Sequence, residues 1–316
     1  MAPLRILFFG TAELACPGLS ALRESPACDL AAVVTQPDRP KGRSLVRQPS
    51  PVKILATQIQ LPVLQPERAR SQLVIDQLAQ LRPELIVVIA YGQILPKEIL
   101  DIPRFGCLNV HASLLPKYRG AAPIQWAILN DEHETGVTIM KMDEGLDTGD
   151  ILNQEATPIA ADDDARTVHD RLGVMGAQLL TDTIQDYVAG KIVPRRQSNE
   201  DAGYARKITR EDGHLDWTQP ARSLWNRVRA FIPWPGAYTS LATDRKPRLL
   251  KIWKAEVAEQ SGAAPGEIMA AGHDGIVVAC GQQALRILAL QLEGGRRLDT
   301  REFLAGHRLQ PGQRLC

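Results

Sequence analysis

The stretch GCLNVHASLLPKYRGAAPI, residues 106–124, holds a strand and the loop into which it runs. Leu108 and Val110 alternate there with Asn109 and His111. Side chains two apart on a strand share a face, so the amide and the imidazole point one way and the aliphatic pair the other. Beyond His111 come Pro116, Gly120 and Pro123, residues that interrupt regular structure. Polar side chains where a strand gives way to an irregular loop mark the edge at which open α/β sheets place their chemistry. A His and an Asn on the solvated side of an edge strand would look the same over so few residues, and the surrounding sequence has to separate the two readings.

Working outward, LIVVIAYGQILP at 85–96 starts with an unbroken apolar run and ends it at Tyr91-Gly92. That is the pattern of a central parallel strand covered on both faces. On the other side a helix is expected over 122–130 and a further strand over GVTIMKM, residues 136–142. DEGLDTGDIL follows at 143–152, with Asp143, Asp147 and Asp150 set around glycines. Oxygen ligands beside Gly turns suit a divalent cation, although the EF-hand spacing and its closing Glu are missing. The other reading makes one of these carboxylates the partner that orients His111. At the N-terminus, RILFFG (5–10), the spacing of Leu14, Leu19 and Leu22, and LAAVVT (30–35) predict a β-α-β start. A helix is expected over Ser71–Leu81 with Leu73, Leu78 and Leu81 turned inward. No GxGxxG follows the first strand, which argues against a nicotinamide or flavin site. The expectation is an α/β, Rossmann-like domain with a mostly parallel sheet.

QPDRPKGRSLVRQPSPVK, residues 36–53, carries four prolines and five basic residues against one acid. Such a segment is not expected to pack as a regular element, and long loops in compact domains are often functional. Ser50-Pro51 reads as the N-cap and first position of a helix over Val52–Ile59. The basic side chains suit a phosphate backbone, and a solvated surface loop fits them as well. Charge is uneven along the chain: 17 basic and 23 acidic residues up to 190, then 20 basic and 13 acidic from 191 on. This asymmetry hints at a polyanionic partner for the second half, with an ordinary basic surface as the plainer alternative.

A long helix is expected over Ala165–Ala189, a polar linker over 190–207, and from Ile208 a series of short β-like runs between turns, as in a small OB-like β-barrel. The chain of 316 residues would thus hold two domains, 1–189 and 208–316, joined by 190–207. The five cysteines are scattered without pairing or CxxC spacing, which fits reduced thiols in a cytoplasm. No apolar run is long enough to span a bilayer, and the first residues lack the regions of a signal peptide.

Asn109-Val110-His111 followed by SLLPKYRGAAPIQWAI, and ETGVTIMKMDEGLDTGDIL after it, resemble the folate-dependent formyltransferases. TQPDRPKGR, PSPVK, VVIAYGQILP, RAFIPWPGAY and IWKAEV look like the branch of that family that acts on a charged initiator tRNA, and the likeness covers nearly the whole chain. GTAELA stands where the family more often has GTPDFA, and Lys117-Tyr118 fill a variable pair. The resemblance implies formyl transfer from 10-formyltetrahydrofolate, as co-substrate, to the amino group of the methionyl initiator tRNA, with no metal. It implies Asn109, His111 and Asp147 as catalytic residues and Ser113, Leu114, Leu115 and Pro116 as the folate segment, with the backbone of Ile89–Leu95 beside it. Arg43 matches the family's tRNA-reaching loop arginine; Arg39, Lys41 and Arg47, then Arg195, Arg196, Arg206 and Lys207, are expected phosphate contacts. The chain is expected to be a cytoplasmic monomer with no membrane partner. A sugar-nucleotide formyltransferase and a non-catalytic RNA-binding module are the competing readings. The second would have no use for Asn109, His111 and Asp147 beside a folate-like loop.

Overall fold

Apolar runs too short for helices and unbroken by polar alternation become the central strands of a covered sheet. In the computed structural model, which describes residues 2–41, 46–241 and 246–316, these runs supply most of a seven-stranded sheet. Its strands are β1 (Leu4–Gly10), β2 (Cys28–Val34), β3 (Val63–Leu64), β4 (Leu85–Ile89), β5 (Cys107–His111), β6 (Glu134–Lys141) and β7 (Ile151–Pro158). Their order is β7-β6-β5-β4-β1-β2-β3. From β5 through β3 all neighbours are parallel, whereas β6 runs antiparallel to both β5 and β7. The domain is therefore Rossmann-like with a mostly parallel sheet. The chain leaves β1 on one side for β2 and β3 and returns on the other for β4, so the order reverses between β1 and β4. Doubly wound sheets bind ligands in the crevice at the carboxyl ends of such a pair.

All five residues of β4 are buried, as its unbroken apolar sequence requires. One face of the sheet packs Leu7, Phe9, Val34, Ile86 and Val88 against Leu78 and Ile99. On the other, the helix Cys16–Glu24 brings Gly18 onto Ile89, and the helix Ala165–Val188 brings Gly176 onto Val110 and Val137. Ser50 caps the helix Pro51–Gln58 by accepting from the Lys53 amide at 3.0 Å. The helix Gln72–Gln80 departs from the expected register in its first turn. Leu78 and Leu81 face the core as expected, whereas Leu73 is 80% exposed and Val74 and Ile75 take its place. Positions 74, 75, 78 and 81 keep the helical period, so the difference is confined to the first turn. The half-polar edge strand β7 had no signal in the sequence, because an edge strand needs only one covered side.

Contacts divide the chain into two units: 1–123, 134–158 and 169–205 in the first, and 124–133, 159–168 and 206–316 in the second. The second is built on β8 (Ala237–Leu241), β9 (Arg248–Ala258), β10 (Ile268–Gly272), β11 (Gly275–Ala279), β12 (Ala284–Leu292) and β13 (Leu298–Asp299). The antiparallel order is β8-β9-β12-β11-β10, with β13 also paired to β12. Those pairings leave an open path rather than the closed barrel expected. The chain's last residues bond to both ends of it: Ser240 and Cys316 exchange backbone hydrogen bonds beside β8, while Leu315 donates to Gly266 just before β10. Two helices not anticipated, Ala221–Ala230 and Thr300–Gly306, cover this sheet, placing Leu224, Val228 and Phe303 in one core with Leu250, Ile276 and Leu290.

Candidate active site

β5 ends at His111 beside β4, one strand from the switch between β4 and β1. Register pairs Val88 with Asn109 on one side and Thr138 with His111 on the other, so both polar side chains arrive at the carboxyl edge on a rigid strand. His111 is buried, and its Nε2 lies 2.9 Å from the Tyr118 carbonyl. A carbonyl only accepts, so Nε2 carries the hydrogen in that bond and Nδ1 is the nitrogen left facing Asp147.

Asp147 comes from the β6–β7 loop, which the Lys141 amide closes by donating to the Asp150 carbonyl at 2.8 Å. Its backbone sits at φ 54°, a left-handed conformation that Asp tolerates better than most residues. One carboxylate oxygen accepts from the Gly120 amide at 2.8 Å. The other lies 3.4 Å from Asn109 Nδ2, and His111 Nδ1 is 3.7 Å from the carboxylate. The backbone contact is a full hydrogen bond, whereas the two side-chain contacts are long. The carboxylate is thus fixed by backbone while the Asn109 amide and His111 Nδ1 stay close without being consumed. Such a trio can hold a developing oxyanion and take up a proton.

Ser113, Leu114, Leu115 and Pro116 form a tight loop directly after β5. Ser113 is fully buried and turns its hydroxyl onto the Lys117 carbonyl at 2.7 Å. Thr138 donates to the Ser113 carbonyl at 2.6 Å and accepts from the Leu115 amide, and Gln154 donates to the Leu115 carbonyl. Leu115 is buried, while Leu114 and Pro116 are half-buried. The segment is braced from within, and its outward face is made of Leu114 and Pro116. Across the switch, the Tyr91 carbonyl accepts from Thr11 Oγ1 at 2.8 Å and Gln36 Nε2 at 2.9 Å, tying the ends of β1, β2 and β4. Burial pushes the Tyr91 phenol up to about 12, so it stays neutral.

Among the basic candidates, Arg39 and Lys41 bound the strand Arg39–Lys41, which pairs with Val46–Gln48, and Arg39 and Arg47 are exposed. Arg43 lies outside the described residues. Arg196 and Lys207 are exposed. Arg195 donates to Gln154 at 2.5 Å. Within the second unit Arg206 is committed: it pairs with Asp212 at 2.5 Å and lies 5.3 Å over the Trp126 ring. The guanidinium holds the Asp212 carboxyl down at about 2, against the opposing effect of burial. Among the described residues no group of three or more His, Cys, Asp or Glu side chains is placed to hold a metal, and no helix is long and apolar enough to cross a membrane.

The sequence did not point to Gly120, Arg119 or Gln197. The expected linker is in part structured: Arg195 bridges Ile151, Tyr204–Ala205 pairs in parallel with Arg119–Gly120, and Gln197 donates to the Asp147 carbonyl at 2.9 Å. These partners lie tens of residues apart, beyond any local pattern.

The family model "Formyl transferase" matches residues 4–184, and "Formyl transferase, C-terminal domain" matches residues 207–308. The chain belongs to the formyl transferase family. It is 52% identical over 312 residues to a methionyl-tRNA formyltransferase of Citrifermentans bemidjiense, covering 99% of this chain and 96% of that one. A methionyl-tRNA formyltransferase of Geobacter sulfurreducens is also 52% identical, covering 100% of this chain and 98% of that one. Among solved structures, an N-formyltransferase of Helicobacter canadensis in complex with folinic acid and dTDP-3-aminofucose has a TM-score of 0.62 at 20% identity, over 90% of this chain and 99% of that one. HypX from Aquifex aeolicus in complex with tetrahydrofolic acid has a TM-score of 0.62 at 16% identity, over 98% of this formyl transferase and 50% of that chain. At such identities the likeness speaks to fold alone.

Proposed function

We propose that this formyl transferase moves the formyl group of 10-formyltetrahydrofolate onto the free amino group of methionyl initiator tRNA, giving N-formylmethionyl-tRNA for translation initiation. The observation that carries the reading is the meeting of Asn109, His111 and Asp147 at the carboxyl edge of the sheet. Relatives 52% identical over almost the whole chain and named methionyl-tRNA formyltransferase support the choice of acceptor.

The neutral amine attacks the formyl carbon, a carbon–nitrogen bond forms, and negative charge gathers on the formyl oxygen. Asn109 Nδ2 and His111 Nδ1, which donates when the ring carries both hydrogens while Nε2–H stays on the Tyr118 carbonyl, are the donors for that oxygen, each worth about 2.7–4 kcal/mol if pre-aimed. Their long contacts to Asp147 leave them free to turn to substrate. Asp147 accepts the proton of the attacking amine, directly or through water. The bond from carbon to N10 of the folate then breaks, and the proton passes to N10. The route needs no metal ion.

For the donor, the reading seats the pteridine at the β1–β4 switch, along Ile89–Leu95 and the segment Ser113, Leu114, Leu115 and Pro116, whose outward face is Leu114 and Pro116. For the acceptor, Arg39, Lys41, Arg43 and Arg47, with Arg195, Arg196 and Lys207, meet the phosphates of the tRNA end. Residues 1–189 act as the catalytic domain and 190–207 as the linker. Residues 208–316 act as an OB-like tRNA-binding domain; the bonds from the last residues to both ends of the strand path support the OB-like form, and the excess of basic residues from 191 on supports the polyanionic partner. The enzyme works as a cytoplasmic monomer. The test is incubation with donor labelled in the formyl group, offered methionyl initiator tRNA, methionyl elongator tRNA or an amino-sugar nucleotide. Label on the initiator tRNA is expected. Label on the nucleotide alone overturns the acceptor, and label on none overturns the transfer.

A further inference from the structure

Asp147 holds a left-handed backbone, and something must keep it there. A non-glycine residue in that region is stable only where its surroundings over-determine it. Gln197 is the side chain that does so from outside the loop. It is 9% exposed, and its Nε2 donates to the Asp147 carbonyl at 2.9 Å and to the Gly149 carbonyl at 2.7 Å. An amide nitrogen has two hydrogens, and these two carbonyls use both. Its Oε1 accepts from Arg119 Nε at 3.0 Å. The Arg119–Gly120 strand also supplies the amide that binds the Asp147 carboxylate. Gln197 and Gly120 therefore grip Asp147 from its two ends, carbonyl and carboxylate. Within the loop the Gly145 amide and the Thr148 hydroxyl bond to Asp143 rather than to Asp147, and Gly149 leaves no room for a side chain of its own, since an added Cβ would lie 1.8 Å from the Lys141 carbonyl.

We propose that Gln197 is a positioning residue for formyl transfer, which sets the Asp147 carboxylate at the reacting centre by locking the backbone on either side of Thr148. The inference rests on the catalytic reading of Asp147 given above. Gln197→Met keeps the length of the side chain and removes both donors. Gln197→Glu keeps the shape and turns a carboxylate oxygen onto two carbonyls that it cannot donate to. Both leave Asn109, His111 and Asp147 in place.

The test is a double-mutant cycle on kcat with Asp147→Asn as the second background, read beside hydrogen–deuterium exchange of residues 143–150. A side chain that acts only through Asp147 has nothing left to position once the carboxylate is gone, so the two losses should not add. Gln197→Met should lower kcat roughly tenfold in the parent enzyme and less than about twofold in the Asp147→Asn background, with KM for both substrates nearly unchanged. Gln197→Glu should lower kcat further, and exchange should rise within 143–150 alone. Unchanged kcat in Gln197→Met, or an equal loss in both backgrounds, overturns the proposal. So does a rise in exchange spread over the whole unit, which would mark a residue needed only for folding. If Asp147→Asn alone retains parent activity, the catalytic reading fails and the inference with it. An inactive Asp147→Asn beside a fully active Gln197→Met would defeat the inference only.

Discussion

At the scale of single residues, the site depends on which contacts are tight and which are slack. Asp147 has one full side-chain hydrogen bond, from the Gly120 amide, and two long contacts, to Asn109 and His111. A fixed carboxylate beside a slack Asn109 amide and His111 Nδ1 is what a general base beside an oxyanion site requires. Asp147→Asn keeps the shape and removes the base, so kcat should fall by roughly 10²–10⁴ with little change in thermal stability. A rapid-quench measurement near parent rate would contradict that role. Gly120→Ala makes a separate prediction. Gly120 sits at φ 117°, and an added Cβ would lie 2.6 Å from the Ala205 carbonyl. The strand would have to shift and carry off the amide that holds Asp147. Formylation should drop while Gly306→Ala, with open space around its Cβ position and no left-handed backbone, leaves it unchanged. Asn109 and His111 were legible in the sequence because alternation on a strand is a local pattern. Gly120 and Gln197 were not, since their partners are set by pairing and loop closure far along the chain.

At the scale of elements, apolar runs announced β1, β2 and β4, and Ser50-Pro51 announced a helix start, because in each the cause lies within a few residues. Leu73 shows the limit: Leu78 and Leu81 face the core as their spacing suggested, but in the first turn Val74 and Ile75 do so and Leu73 does not. The helix Ala221–Ala230 was missed although Ala221, Leu224, Trp225 and Val228 keep the i, i+3, i+4, i+7 spacing of a buried helical face, a signal the interspersed arginines obscured. Before it, residues 206–213 are held by the Arg206–Asp212 pair. The Asp212 carboxyl is depressed from 3.8 to about 2, first by the hydrogen bond from Arg206. A depressed carboxyl stabilises the fold above its unfolded value, and that contribution is lost as pH falls through the folded value. Asp212→Asn should therefore cost on the order of 1 kcal/mol at neutral pH, since Arg206 is half-exposed and screened. Thermal melts of parent and variant should converge as pH falls from about 4 to about 2. A constant gap over that range would contradict the pairing as its source.

For the whole molecule, the charge asymmetry was readable by counting, but its meaning needed a partner. Exposed Arg39 and Arg47 on the short ribbon, with Arg43 between them in sequence, fit a phosphate track rather than a folate site. Arg43→Ala should raise KM for the tRNA strongly, leave donor binding intact, and lower the salt slope of tRNA affinity by about 1. Equal losses for donor and acceptor would defeat that division of labour. The account's central claim is that Asn109 and His111, delivered together by one strand, stabilise the charge that forms as the formyl group moves between two substrates. Its most direct test is the single-turnover rate of formyl transfer to saturating methionyl initiator tRNA in Asn109→Ala and His111→Ala, with donor affinity measured on the same proteins. The account predicts that each rate falls by roughly 10²–10³ while donor affinity stays near that of the parent. Parent rates in both variants, or losses explained wholly by weaker donor binding, would contradict it.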